Sequence, residues 1–386
     1  MIRRSVKKLL QLRKSRGYLP FNRIELSASR VLHNVSVMQH KNPGLAIMPV
    51  LKANAYGHGL QQMAQILNAI PCRLVIVDGY YEAGKIRDIS RHPLLVMSAI
   101  HPKNVRLVDT RRCSFVVQDI AGLRAFAALN RRVRVHLELN AGMNRLGLQP
   151  EELDAWLSEL RKHPKLQLEG VMSHLANAEN KDGDEENQKQ TLRFDALIER
   201  IQSAGFHPEI IHLAQTVGSV KTHSRYANAV RLGVGTYGIN PLDPEDAAYP
   251  QFSDLQPVME LKSTIVKTLS LEPGDKVSYD GTFTASKAMR IGVLPIGYYE
   301  GVHRQLSNKS VVLFDGKMLP IVGSICMNYT MVDLQDSPAE VMSEVTLISH
   351  DSALPCSVLG WKKSCGIPPW MTYTNLSENI RRVIVG

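Results

Sequence analysis

Eight apolar runs recur before residue 240, each bounded by turn-forming residues: Leu45–Ala55, Arg73–Gly79, Leu94–Ile100, Cys113–Asp119, Val133–Asn140, Leu168–Ala176, Ile210–Thr216 and Ala229–Ile239. Short continuous apolar runs between turn signals predict buried strands. Most gaps carry a helix-like stretch, such as Gly59–Ala69 or Pro150–His163, and the latter opens on Pro-Glu-Glu, which suits the first turn of a helix. Eight strands alternating with helices predict an α/β chain whose N-terminal part is a (β/α)8 barrel rather than an open doubly wound sheet. No G-x-G-x-x-G follows the first run, which also argues against a dinucleotide fold.

The pattern changes after Asn240. A proline- and aspartate-rich stretch, Pro241–Pro250, separates the barrel from short β-like segments that begin near Met259. Val311–Leu319 reads as a hairpin turning on Asp315-Gly316. The expected organisation is a basic extension at 1–20, a barrel at 21–255 and a mostly-β domain at 256–386. An early strand, Asn22–Leu26, is expected to pair with that second domain.

At 386 residues, with 44% hydrophobic and 21% charged residues, the composition is that of an ordinary globular protein. No apolar run approaches the roughly 20 residues needed to span a bilayer, so no stable membrane insertion is expected. Five scattered cysteines without paired metal spacing point to a reducing cytoplasm and to no metal site. Of the net charge of +10, seven charges lie in residues 1–17, which contain no acid. That segment reads either as a short amphipathic helix on an anionic surface or as a frayed terminus, and it is no secretory signal. The rest of the chain is only mildly basic, so no nucleic-acid partner is expected.

The candidate chemistry begins with Lys52, which follows the first apolar run and precedes Ala-Asn-Ala-Tyr-Gly-His-Gly59. A lysine at the end of a buried strand is desolvated, which lowers its pKa toward the free amine that Schiff-base chemistry with a carbonyl cofactor such as pyridoxal phosphate needs. The alternative is a lysine whose stem is buried and whose head snorkels to water. In a barrel, chemistry gathers at the C-terminal ends of the strands. Lys52, Arg145, His174, Thr216, Arg231 and Gly233 all fall at such positions, and the last two strands, with Thr216, Gly233 and Gly235, are where this fold commonly holds phosphate.

Six segments together, Val50–Gly59, Gly142–Gly147, Val230–Gly233, Pro273–Tyr279, Pro295–Tyr298 and Ile325–Met327, resemble the alanine racemase family in order and spacing, from about Phe21 to the C-terminus. The resemblance implies a pyridoxal-phosphate enzyme with the cofactor linked to Lys52. Tyr56, Thr216, Gly233, Val234 and Tyr373 then look like phosphate donors, and Arg231 like the arginine beside the pyridine nitrogen. His174 is similar to the residue that supports a catalytic tyrosine, Tyr279. Lys52 and Tyr279 would serve opposite faces of the substrate Cα. The resemblance places Arg145, Met327 and Tyr298 toward the substrate, a small amino acid. It also implies a homodimer in which Tyr279 and Met327 reach across from the partner.

Two positions depart from the family pattern. Glu138 stands where many members carry a carbamylated lysine that orients the Arg145 equivalent, and it is expected to take over that negative charge. Asn328 stands where aspartate is common, a change that leaves the substrate open between alanine and serine or a broader set. A barrel-only carrier protein is disfavoured by the second domain with Tyr279, and a related decarboxylase by the lack of its C-terminal cysteine motif.

Overall fold

The computed structural model describes residues 19–386, so most of the expected basic extension lies outside the described residues. The chain divides into two compact units, one built from Leu26–Met259, Pro369–Thr374 and Ile384–Gly386, the other from the remaining described residues.

Strand β1 (Arg23–Ser27) comes first. In the first unit follow β2 (Ala46–Pro49), β3 (Val75–Val77), β4 (Leu94–Val96), β5 (Cys113–Val117), β6 (Val133–Glu138), β7 (Leu166–Met172), β8 (Ile210–Gln215) and β9 (Ala229–Leu232). These eight parallel strands run in the order β2-β9-β8-β7-β6-β5-β4-β3. A parallel bridge from Val50 to Ile76, with the Leu51 N–H donating to the Ile76 carbonyl at 2.7 Å, links the two ends of that order into a near-closed barrel. Met48, Val50, Ile76, Leu95, Met172 and Ile210 pack in one buried cluster, as the layered interior of this architecture requires.

The helices follow the same logic. Ala28–Lys41 is capped by Ser27, whose hydroxyl accepts from the Arg30 N–H, and it buries Val31, Val35 and Met38 along one stripe. Pro150–Glu152 forms a 3-10 turn leading into Leu153–Lys162, and the acids at Glu151 and Glu152 sit in the favourable N-terminal field.

The second unit is mostly β. Its strands are β10 (Met259–Thr264), β11 (Lys267–Leu271), β12 (Lys276–Val277), β13 (Phe283–Thr284), β14 (Met289–Leu294), β15 (Val311–Phe314), β16 (Lys317–Pro320), β17 (Thr330–Asp333), β18 (Glu344–Ile348) and β19 (Arg381–Val385). They form a six-stranded sheet, β16-β15-β18-β10-β1-β19, a three-stranded sheet, β11-β14-β17, and the pair β12-β13. β1 thus pairs within this sheet. The β15–β16 hairpin turns on Asp315 (φ 45°) and Gly316 (φ 77°), the two positive values a type I′ turn needs.

The strands are shorter at their C-terminal ends than the apolar runs. β2 stops at Pro49 instead of Ala55, because Ala53, Asn54, Ala55 and Tyr56 turn left-handed at φ 50–55°. Each non-glycine residue held there costs roughly 1–2 kcal/mol. Tertiary contacts offset the cost. The Asn54 side chain accepts from Leu60 N–H at 2.8 Å, and its own N–H donates to Glu82 at 3.3 Å. Gly57 closes the turn at φ 80°, and a Cβ there would stand 1.8 Å from the Tyr373 carbonyl oxygen, so no other residue fits. Strain concentrated on one segment is a pointer to function.

Candidate active site

Lys52 lies two residues beyond the bridge at Val50, at the C-terminal end of the barrel strands and just before the left-handed turn. Burial lowers its pKa; the Arg145 and Arg231 cations add to that, while Asp78 and Glu82 oppose it. The side chain does not simply snorkel, since its Nζ lies 5.9 Å from the centre of the Tyr56 ring.

Arg231, on β9, is buried, and burial pulls its guanidinium down to about 10. Its Nη1 donates to His212 Nδ1 at 2.9 Å and to the His212 carbonyl at 3.0 Å. Nη2 donates to the Ser173 and Leu213 carbonyls at 2.7 and 2.6 Å and to His174 Nδ1 at 3.0 Å. These contacts fix the guanidinium plane, and among the described residues nothing accepts from its Nε–H. His174 lies just past the end of β7; burial first, and then Arg231, Arg145 and Lys52, depress it to about 3. It is therefore neutral, and because Nδ1 faces a donor, its proton is on Nε2.

Opposite this arginine the barrel end is lined by hydroxyls. Thr216 follows β8 directly, and its Oγ1 accepts from the Gly235 N–H at 3.2 Å in the turn after β9. Gly233 begins that turn, and a Cβ there would stand 3.0 Å from the Tyr56 hydroxyl. Tyr373 is buried, and its hydroxyl has no partner among the described residues. The Tyr56 ring packs 5.1 Å from that of Tyr237, His58 packs 4.5 Å from Tyr237, and Tyr373 packs 4.8 Å from His58. Burial raises Tyr56 to about 12 and Tyr373 above its ordinary value, so both keep their protons and act as donors. Two protonated phenols, a side-chain-free glycine and the start of a turn suit a phosphate. An unpartnered buried hydroxyl is what such a ligand would satisfy.

Glu138 ends β6 and is buried, which raises its pKa; the Gln118 amide and the Arg231 and Arg145 cations hold it down. Among the described residues no ion pair within 4.0 Å joins it to Arg145, which is solvent-exposed on the loop after β6. Tyr279, Tyr298 and Met327 belong to the second unit and are 68%, 44% and 54% exposed. Tyr298 and Met327 are brought together locally, since the Tyr298 and Tyr299 N–H groups donate to the Cys326 and Met327 carbonyls at 3.0 Å each. Tyr279 follows Ser278, whose hydroxyl donates to the Ser324 carbonyl at 2.6 Å. Asn328 donates to Glu300 at 2.8 Å, a pairing that an aspartate would turn into a like-charge contact.

Residues 26–241 match the alanine racemase N-terminal domain and residues 258–384 the alanine racemase C-terminal domain. The chain belongs to the alanine racemase family. It is an isomerase of that family, 31% identical over 374 residues to the alanine racemase of Geobacter sulfurreducens, with 93% of this chain and 95% of the relative covered. It is likewise 31% identical over 365 residues to that of Aquifex aeolicus, covering 94% and 98%. A solved alanine racemase from Bacillus anthracis superposes with a TM-score of 0.86 at 25% identity, covering 96% of each chain. Another, from Bartonella henselae with covalently bound pyridoxal phosphate, shares the fold with a TM-score of 0.80 at 22% identity, covering 95% of this chain and all of that one.

Sequence reading placed the residues around Lys52 and Arg231 but missed what stands behind them. His212 and His136 are both completely buried. The only signal was a histidine between two apolar neighbours in each of β6 and β8.

Histidines whose pKa burial lowers have a measurable consequence. Burial lowers the pKa of His136, His174 and His212, so below about pH 6.5 the unfolded chain takes up protons that the folded chain refuses. Stability is therefore complete above that pH and is lost as the pH falls, with a limiting slope of about 1.4 kcal/mol per pH unit for each histidine. Urea midpoints measured between pH 7.5 and 5 are expected to drop steeply. Replacing His174 by Asn is expected to flatten the fall by about one histidine's share.

Proposed function

We propose that this isomerase uses pyridoxal phosphate to interconvert L- and D-alanine, with Lys52 and Tyr279 acting on opposite faces of the substrate. The observation that carries the reading is the junction of a desolvated Lys52, a contact-locked Arg231 and the protonated phenols of Tyr56 and Tyr373 at one end of the barrel. Pyridoxal phosphate, when bound, takes up the electron pair left when the Cα–H bond of an amino acid breaks.

Lys52 would hold the cofactor, while Tyr56, Tyr373, Thr216, Gly233 and Val234 would hold its phosphate. Arg231, which keeps its proton, would hold the ring nitrogen by a hydrogen bond. Lys52 Nζ, whose pKa burial lowers, would be the base for one face. Tyr279 Oη serves the other, with the His174 Nε2–H as a donor that stabilises it when it gives up its proton. Arg145, with Met327 and Tyr298, would address the substrate, and Glu138 supplies a negative charge behind Arg145 without direct contact.

Tyr279 and Met327 would come from a second copy of the chain. Tyr279, Tyr298, Tyr299, Met327 and Tyr329 are all at least 44% exposed, and so much exposed aromatic and apolar surface marks a face that a partner covers. Among the described residues no helix is long and apolar enough to cross a membrane, and the five cysteines are free, which supports a cytoplasmic location.

The test is loss of optical activity. Purified protein supplied with pyridoxal phosphate is expected to bring L-alanine and D-alanine to the same racemic end point, with serine turned over more slowly. No change in rotation for any amino acid contradicts the reading, whereas serine faster than alanine corrects only the substrate.

A further inference from the structure

Behind Arg231 a single file of hydrogen bonds crosses the barrel wall. Arg231 Nη1 donates to His212 Nδ1 at 2.9 Å. His212 Nε2 and His136 Nδ1 are 3.0 Å apart, and His136 Nε2 lies 3.1 Å from Glu169 Oε2. The first donor fixes the direction of the rest. A guanidinium can only donate, so His212 Nδ1 must accept and its proton sits on Nε2. That proton points at His136 Nδ1, which must accept in turn, so the second imidazole proton lies on Nε2 and faces Glu169. Every link then runs from the cation to the carboxylate.

The site is built around these rings. Gly170, next to Glu169 on β7, leaves the space in which His136 sits, because a Cβ there would stand 2.4 Å from the imidazole ring. Both histidines are fully buried and held neutral, and Glu169 is held below the usual carboxylate range despite its burial, chiefly by His136. Arg134 stands on its outer side at 3.7 Å. An ionised carboxylate at the far end polarises both neutral rings in one direction. The effect reaches the guanidinium, which burial otherwise tends to discharge.

We propose that Glu169 is a positioning residue for the reaction, acting through His136 and His212 to hold Arg231 charged and in plane. The inference rests on the racemase reading for its catalytic consequence. Glu169 touches neither substrate nor cofactor.

The test compares wild type with Glu169→Gln, both carrying pyridoxal phosphate, in protein labelled with 15N at histidine. Wild type is expected to show two slowly exchanging imidazole N–H signals assigned to Nε2 of His136 and His212. In E169Q those proton signals move to higher field or vanish, and kcat for alanine falls by about tenfold, as for carboxylates behind oriented histidines. KM stays within about twofold. Protons on Nδ1 in wild type overturn the relay even where E169Q fails to fold. So does an E169Q protein with unchanged signals and unchanged kcat, or one whose loss lies wholly in KM. A wild type that racemises nothing overturns the underlying racemase reading instead, and with it the catalytic role of Glu169, whatever the histidine signals show.

Discussion

Lys52→Ala is expected to abolish racemisation, with kcat/KM falling by more than about 10⁴-fold, because one change removes both the anchor of the cofactor and the base for one face. The fold is expected to survive. Lys52 Nζ makes no hydrogen bond or ion pair among the described residues, and the left-handed turn that follows is held by Asn54, Glu82 and the Gly57–Tyr373 contact. Removing a desolvated amine leaves no orphaned partner behind it. Circular dichroism and the urea midpoint should therefore match wild type while turnover disappears. An active K52A protein would place the chemistry on another group.

The second large effect concerns Tyr279. Tyr279→Phe removes the phenol proton and keeps the ring, and it is expected to cost about 10²–10⁴-fold in turnover, the range of a single acid–base group. The informative experiment mixes the two dead variants. If Tyr279 serves the barrel of its partner, a K52A–Y279F hybrid has one site with both defects and one with neither. Unfolding and refolding an equimolar mixture should then restore about a quarter of wild-type activity, since half the dimers are hybrids and each has one sound site. No recovery, with size-exclusion chromatography showing that hybrids have formed, would mean that each chain completes its own site.

The two predictions draw on different kinds of legibility. The barrel was readable because a parallel strand covered on both faces is an uninterrupted apolar run, and β3, β4 and β5 consist almost wholly of such residues. Run ends were less readable. Ala53 and Ala55 extend the apolar pattern of the first run, and nothing in a small side chain announces a positive φ; only Gly57 and Gly59 hinted at a turn. Glu138 was legible as a carboxylate at the end of the fifth run, but its distance from Arg145 depends on how far a short side chain reaches from β6, which spacing does not encode. The two strand histidines were visible, but the Arg231–His212–His136–Glu169 file was not, because it joins four strands whose neighbourhood exists only once the barrel forms. Asn328 was read as the loss of a charge. Its hydrogen bond to Glu300 gives that loss a local reason, since a carboxylate at 328 would face a second carboxylate.

The central claim is that Lys52 carries the cofactor of an amino-acid racemase. It is tested most directly by reducing the protein with borohydride in the presence of pyridoxal phosphate, digesting it and locating the pyridoxyl group by mass spectrometry. One modified peptide is expected, the one containing Lys52, together with loss of the ability to racemise alanine. An unmodified Lys52, or a pyridoxyl group spread over surface lysines with activity intact, would contradict it.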